Sequence, residues 1–233
     1  ERLQHDEFSR PAEVLGPRLL AAAGKAGRIG PELRLLQEWD FVMRKDGSAP
    51  ILFAVFLDSL QARFFGAEAG AQAAAILIDE GYGLPTLVKE ATGPELLLAA
   101  FDGAVAGLQA QFGGDLAGWQ WGEHHQAPFP HPLSAALGLP AASRGGNAST
   151  VNVTSGPGFT QTHGASFREI LDFADWDNSV ATSVPGQSGQ PGSPYYDNLL
   201  PLWEEGRYFP MVFSRVAVER ETAHVLWLRP RAR

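Results

Sequence analysis

Three histidines crowd one short stretch, His124, His125 and His131, and their imidazoles are the first side chains here that invite a metal ion. The spacing argues against one. There is no His-Glu-x-x-His helical pattern, no Asp or Cys close by completes a ligand set, and Pro128, Pro130 and Pro132 break any regular helix. The expected arrangement is a loop whose imidazoles bond backbone carbonyls. Gly186-Gln187-Ser188-Gly189 has the look of a serine nucleophile turn. Such a turn needs Gly-x-Ser-x-Gly between a strand and a helix. Here Gln190-Pro191-Gly192-Ser193-Pro194 follows, in which no helix starts, so a rigid loop is expected. Gly145-Gly146 lacks the Lys-Ser/Thr of a phosphate loop and reads as a tight turn. Asn147-Ala148-Ser149 and Asn152-Val153-Thr154 match the glycosylation pattern, which is too short and common to carry weight.

The elements that position these residues divide by composition near Gly113-Gly114. Before that point the chain reads as helices. Ala12 to Ala23 places Val14, Leu15, Leu19 and Leu20 on one side behind Pro11. Glu32 to Met43 carries Leu33, Leu35, Leu36, Trp39 and Val42. Ser48 suits the cap of a helix from Ala49 to Phe65 that is apolar nearly all round and therefore expected in the core. Gly70 to Asp79 and Pro94 to Gln111 add two more. After Gly114, Gly, Pro, Ser and Asn rise and period-two alternation sets in. It predicts strands over 150–154, 166–173, 179–184, 211–218 and 224–228. Trp119, Trp121, Trp176 and Trp203 are expected as core or loop anchors. In the Gly186 to Asp197 loop, Gly186, Gly189 and Gly192 are expected at backbone angles closed to other residues. Pro191 and Pro194 fix the path, and Ser188, Ser193 and Asp197 bond nearby backbone N–H groups.

Composition excludes several classes. The 233 residues carry a net charge of −8 with no basic stripe, so nucleic acid is not an expected partner. No cysteine is present, which removes disulfides, thiolate metal sites and cysteine nucleophiles. No apolar run reaches about 18 residues; the nearest, Pro50 to Leu60, is interrupted by Asp58, so no membrane span is expected. Glu1 to Ser9 is charged and polar, unlike a signal peptide, and the opening Glu-Arg-Leu without Met suggests a processed subunit or a fragment.

A series of phrases then runs in order along the chain. It begins with Leu3-Gln4-x-Asp6, Leu35-Leu36-x-x-Trp39-Asp40 and Ala49-Pro50-Ile51-Leu52-Phe53. Trp121-Gly122-x-x-His125, His131-Pro132-Leu133 and Gly145-Gly146-Asn147-x-x-Thr150-Val151 follow. The densest part is Gly164-Ala165-Ser166-Phe167-Arg168, Asp175-Trp176-Asp177-Asn178-Ser179, Gly186-Gln187-Ser188-Gly189, Ser193-Pro194-Tyr195-Tyr196-Asp197, Trp203 and Gly206-x-Tyr208. From about Leu3 to Pro230 this resembles the C-terminal stretch of the β-chain in the penicillin acylase family, which includes penicillin, cephalosporin and acyl-homoserine-lactone acylases. Two departures are visible: Tyr195 stands where the family usually has His, and Asn147 where Asp is common.

The resemblance implies an α+β fold of the N-terminal-nucleophile hydrolase superfamily. Residues 1–112 would form a mainly helical lobe, and 113–233 a sheet-containing region contributing to a four-layer αββα sandwich, chiefly from Gly145 to Pro230. It implies self-cleavage of a precursor, so that a Ser begins the β-chain and its own α-amine acts as base. A backbone N–H and an Asn would hold the oxyanion. None of those motifs is found here, so no catalytic, cofactor or metal residue is carried over, and His125, Ser188 and Asp197 are left without an assigned role. The implied partners are the α-chain, the N-terminal part of the β-chain and a small acyl-amide substrate, such as a β-lactam or an acyl-homoserine lactone. Calcium in the complete enzyme and a periplasmic or secreted location are implied likewise. The alternative is a non-catalytic binding or interaction domain derived from the same fold.

Overall fold

The computed structural model describes residues 2–65 and 93–230, which fall into two compact units, 2–165 and 166–230. The fold is mixed α and β with small antiparallel sheets. The helix expected over Gly70 to Asp79 lies outside the described residues.

The first unit is built on helices. Helix α1, Arg10–Lys25, starts where Ser9 Oγ accepts the Ala12 N–H at 3.3 Å, with Pro11 in the first turn. It buries Leu15, Leu19, Ala22 and Ala23. Helix α3, Ala49–Phe65, is the apolar helix expected in the core, and it buries Ile51, Leu52, Phe53, Phe56 and Leu60. Helix α4, Pro94–Phe112, packs on it through Leu97, Ala100, Phe101, Ala104 and Leu108.

Helix α2, Pro31–Gln37, stops well short of the expected Met43. Asp40 Oδ1 accepts the Val42 N–H at 3.2 Å and both carboxylate oxygens engage Arg44, so the side chain draws the backbone out of the helix. Phe41 then takes φ 65° and packs its ring against Gly16 of α1, where a larger residue would crowd it. This returns the chain beside its own start: Phe8 bridges Val42, and Met43 N–H donates to Glu7 O at 2.9 Å.

The composition changes at Gly113-Gly114, but the first compact unit continues to Ala165. The loops after α4 are tied to the helical part by main-chain bonds: Trp121 N–H to Gly47 O at 2.9 Å, Gly146 N–H to Met43 O at 2.8 Å, and Asn152 N–H to Asp6 O at 2.8 Å. Trp119 is fully buried and donates to Gly113 O at 3.0 Å. A short helix α5, Trp121–His124, leads into strand β1, Gln126–Phe129, which pairs antiparallel with β2, Leu139–Ser143. A second ribbon joins β3, Thr154–Ser155, to β4, His163–Gly164. The strand expected over 150–154 is therefore almost wholly a turn. Thr150 and Asn147 consume their side-chain bonds locally, Thr150 Oγ1 accepting the Asn147 N–H at 2.9 Å.

In the second unit β5, Arg168–Ile170, β6, Val180–Thr182, and β7, Phe209–Pro210, form one antiparallel sheet in that order. The alternation over 166–173 and 179–184 located β5 and β6. The strand expected over 211–218 is instead coil as far as Ser214 and helix from there: Ser214 Oγ accepts the Ala217 N–H and opens a helix over Arg215–Glu221. Residues 224–228 form no strand and are exposed. Trp203 anchors the helix Leu200–Glu204 in the interior, whereas Trp176 is an exposed ring rather than a buried anchor.

Candidate functional site

His125 follows directly on α5, and its imidazole lies flat against Trp121, with ring centroids 4.2 Å apart at 15°. Its Nδ1 is 3.0 Å from Phe159 O, which can only accept, so Nδ1 carries the proton. Nε2, 2.8 Å from Thr154 Oγ1, then accepts from the hydroxyl. Burial lowers the pKa of His125, and its bond to Phe159 O opposes this only in part. A neutral imidazole accepting a hydroxyl proton is the arrangement of a base with its nucleophile. Here it has no room to act: His125 is 3% exposed and Thr154 1%.

The neighbouring histidines are occupied in the same way. His124 Nε2 lies 3.0 Å from Gly118 O and its ring stacks on Phe112 at 3.8 Å. His131 Nδ1 accepts the Leu133 N–H at 3.2 Å. Among the described residues no three His, Asp or Glu side chains gather as metal ligands.

Beside His125 lies a polar cluster that sequence reading did not find. Arg144, buried on the Gly145-Gly146 turn, donates to Asn152 Oδ1 at 3.0 Å, and Asn152 Nδ2 donates to Glu7 Oε1 at 3.0 Å. Burial raises the Glu7 pKa, and the bond from Asn152 and the charges of Arg144, Arg44 and Lys45 pull it back. The two glycines are needed for close approach. A Cβ on Gly145 would overlap the Glu7 carboxylate, and one on Gly146, at φ 84°, would overlap Asn152 O. Trp121 Nε1 donates to Gly146 O at 2.9 Å and completes the frame. Asn152, noted in the sequence only for its glycosylation pattern, is 1% exposed and unavailable to a glycan in the folded protein. Glu7 lies 145 positions from Asn152, and no local pattern marks it.

In the Gly186 to Asp197 loop, Ser188 Oγ accepts the Gln190 N–H at 3.1 Å. The N–H groups of Gln187 and Ser188 both donate to Tyr195 O, at 2.8 and 2.9 Å. Ser193 Oγ accepts the Tyr195 N–H at 3.2 Å. These are the local backbone bonds expected of a rigid loop. The glycines differ from expectation. Gly192 has φ 85°, but Gly186 is held by close approach, since a Cβ there would meet Tyr195 O and Tyr196 O. Gly189 has neither constraint. Asp197 O accepts the Leu200 N–H at 3.0 Å, a main-chain contact at the start of the following helix.

The Asp175 to Ser179 phrase has a definite mechanical use. Asp177 Oδ1 accepts the N–H groups of Phe213 and Ser214, both at 2.7 Å, and its Oδ2 accepts the Ser214 hydroxyl. Those bonds, the Ser214 hydroxyl first, hold the carboxyl below its ordinary pKa and pin the start of the Arg215–Glu221 helix.

A family model described as penicillin amidase matches residues 1–220. The penicillin acylase 2 proenzyme of Pseudomonas sp. (strain SE83) is 33% identical over 157 residues, covering 62% of this chain and 20% of that protein. The acyl-homoserine lactone acylase QuiP of Pseudomonas syringae pv. tomato is 31% identical over 137 residues, covering 54% of this chain and 17% of that protein. A solved structure of the thermostable penicillin G acylase from Alcaligenes faecalis aligns with TM-score 0.47 and 16% identity, over 97% of this chain and 48% of that one. The matched stretch amounts to a fifth or less of these two relatives' length.

Proposed function

The chain belongs to the penicillin amidase family, and from that membership we propose that it is the C-terminal part of the β-chain of an acylase whose serine nucleophile lies outside these residues. The complete enzyme would cleave the N-acyl amide bond of a small molecule such as a β-lactam or an acyl-homoserine lactone. The observation that carries the reading is the family match over residues 1–220, combined with a span of only 20% of the first relative. The site geometry supports it. A serine needs a base to take its proton, and Ser188 Oγ instead accepts a backbone N–H within its own loop. The second unit contains one histidine, His224, which is exposed. His125 has the right chemistry but is enclosed and committed to Thr154.

On this reading the α-chain and the N-terminal part of the β-chain supply the nucleophile, the oxyanion donors and the acyl pocket. The 166–230 sheet would be a share of the αββα sandwich. The complete enzyme would be periplasmic or secreted. Calcium in the complete enzyme belongs to the same proposal.

The test is to express the 233-residue chain and the complete polypeptide side by side, with a chromogenic acyl-anilide and an acyl-homoserine lactone as substrates. The complete polypeptide is expected to turn over at least one, and the chain alone neither. In the complete enzyme Ser188→Ala should leave kcat within about tenfold, or roughly 1.4 kcal/mol in barrier. Loss of several orders of magnitude with folding intact would make the loop catalytic. A coding sequence that truly begins here would favour a non-catalytic binding domain.

A further inference from the structure

Helix α1 carries Arg18, Ala21, Ala22 and Lys25 on one stripe of its C-terminal half, since residues three, four and seven apart share a helix face. The start of α4 offers Pro94 and Leu97, one turn apart. These residues line a cavity of about 240 Å3 between the two helices. Side-chain size makes the room. Where α1 faces the core it places Leu15 and Leu19, both fully buried, whereas this stripe has alanines in its middle. Ala22 and Leu97, 6 and 3% exposed, form the floor. Ala21, Lys25 and Pro94 are exposed at the rim, and Arg18 is half-buried.

The charge in this groove is of one sign. Arg18 and Lys25 stand at its two ends, about 10 Å apart along the helix axis, and no acidic side chain is among the described residues that line it. Glu95, next to Pro94 on α4, is exposed and is not part of the lining. Both cations sit on long apolar stems that can lie along the alanines. An apolar floor with a cation at each end complements a molecule built the opposite way round, a hydrocarbon chain with a carboxylate at each end. Arginine grips a carboxylate through two parallel N–H groups, and a lysine ammonium attracts one as a point charge. We propose that the groove between α1 and α4 is a binding site for a short linear dicarboxylate, with one carboxylate on Arg18, the other on Lys25 and the methylenes over Ala21, Ala22 and Leu97. An inorganic anion would leave the floor unused, and a monocarboxylate would engage one cation only. The site lies wholly within residues 2–165 and does not depend on the acylase reading.

The test uses the complete polypeptide with hexanedioate as the probe. Lysines are acetylated with N-hydroxysuccinimidyl acetate at constant ionic strength, and the extent at Lys25 is read by peptide mass spectrometry, with the exposed Lys45 as internal reference. Saturable protection of Lys25, with none of Lys45, is the expected result. Hexanoate should need a concentration about threefold higher or more, the worth of one exposed ion pair, and the neutral hexanediamide should not protect. Arg18→Gln should weaken hexanedioate to the level of hexanoate. Ala21→Leu, which keeps both charges but fills the groove, should remove the protection. Thermal midpoints equal to the parent's show that both variants fold. Equal protection of the two lysines, equal potency of hexanoate, or undiminished protection in either folded variant would each overturn the proposal. The comparison of the three probes needs no substitution and decides the matter even where a variant does not fold. The readout is labelling rather than turnover, so it stands whether or not the polypeptide is an acylase.

Discussion

Between His125 and Thr154 a single hydroxyl proton satisfies a ring nitrogen that has no access to water. Removing it leaves a buried acceptor without a partner, which typically costs about 1–3 kcal/mol. Thr154→Val, nearly the same shape, should therefore lower the thermal midpoint of the complete polypeptide. Thr154→Ser, which keeps the hydroxyl, should recover most of the loss. The same site predicts a pH dependence with a definite sign. His125 titrates lower when folded than when unfolded, so below about pH 6.5 the unfolded chain takes up a proton that the folded one resists. Its contribution to stability is full above the unfolded value and is lost as pH falls through the folded one. Unfolding midpoints measured from pH 7 to pH 5 should fall more steeply in the parent protein than in His125→Gln. Equal slopes would mean that the imidazole is not held neutral.

At the scale of the element, the Gly186 to Asp197 loop separates two glycines that look alike in the sequence. A methyl group on Gly186 would press on the carbonyls of Tyr195 and Tyr196, and overpacking of that kind costs roughly 1–3 kcal/mol. Gly189 faces open space at an ordinary backbone angle. An added Cβ there mainly restricts the unfolded chain, which stabilises by about 0.4–1 kcal/mol. Gly186→Ala should thus lower, and Gly189→Ala hold or slightly raise, the thermal midpoint of the complete polypeptide. Two midpoints of the same sign and size would show the loop to be slack. The other elements follow a similar logic. Helix α2 ends where Asp40 offers its carboxylate to the backbone, and the helix after Ser214 starts where Asp177 and Ser214 supply the cap.

At the scale of the whole molecule, the two units differ in how well each covers itself. The first encloses a core running through α1, α3, α4, Trp119 and Trp121. The second leaves Phe173, Phe213, Val216 and Trp227 largely in water. A chain with such a surface is expected to aggregate or to behave as a loosely packed state when expressed alone and, if the proposed reading holds, to be rescued by the remainder of the acylase. Light scattering and denaturant unfolding of the 233-residue chain test this. A sharp, reversible, monomeric transition would instead point to a self-sufficient domain.

What the sequence determined by itself was local or collective. The helical spacing of Leu15 and Leu19, and the all-round apolarity from Ile51 to Leu60, identify α1 and α3 because a helix satisfies its backbone within one segment. The family was legible because many short phrases keep one order along the chain, and the match over residues 1–220 agrees. The site was legible only in part. The loop character of His131 and Ser188 followed from their proline and glycine neighbours, whereas His124 closes the short helix α5 and His125 caps it, where a loop was expected. The partners did not: Glu7 meets Asn152 across 145 positions and His125 meets Thr154 across 29. The two-residue strands were equally out of reach, since β3 and β7 exist only by virtue of what pairs with them. The tertiary structure decided these points because burial and pairing depend on which distant residues arrive at the same place, and neither leaves a period in the chain.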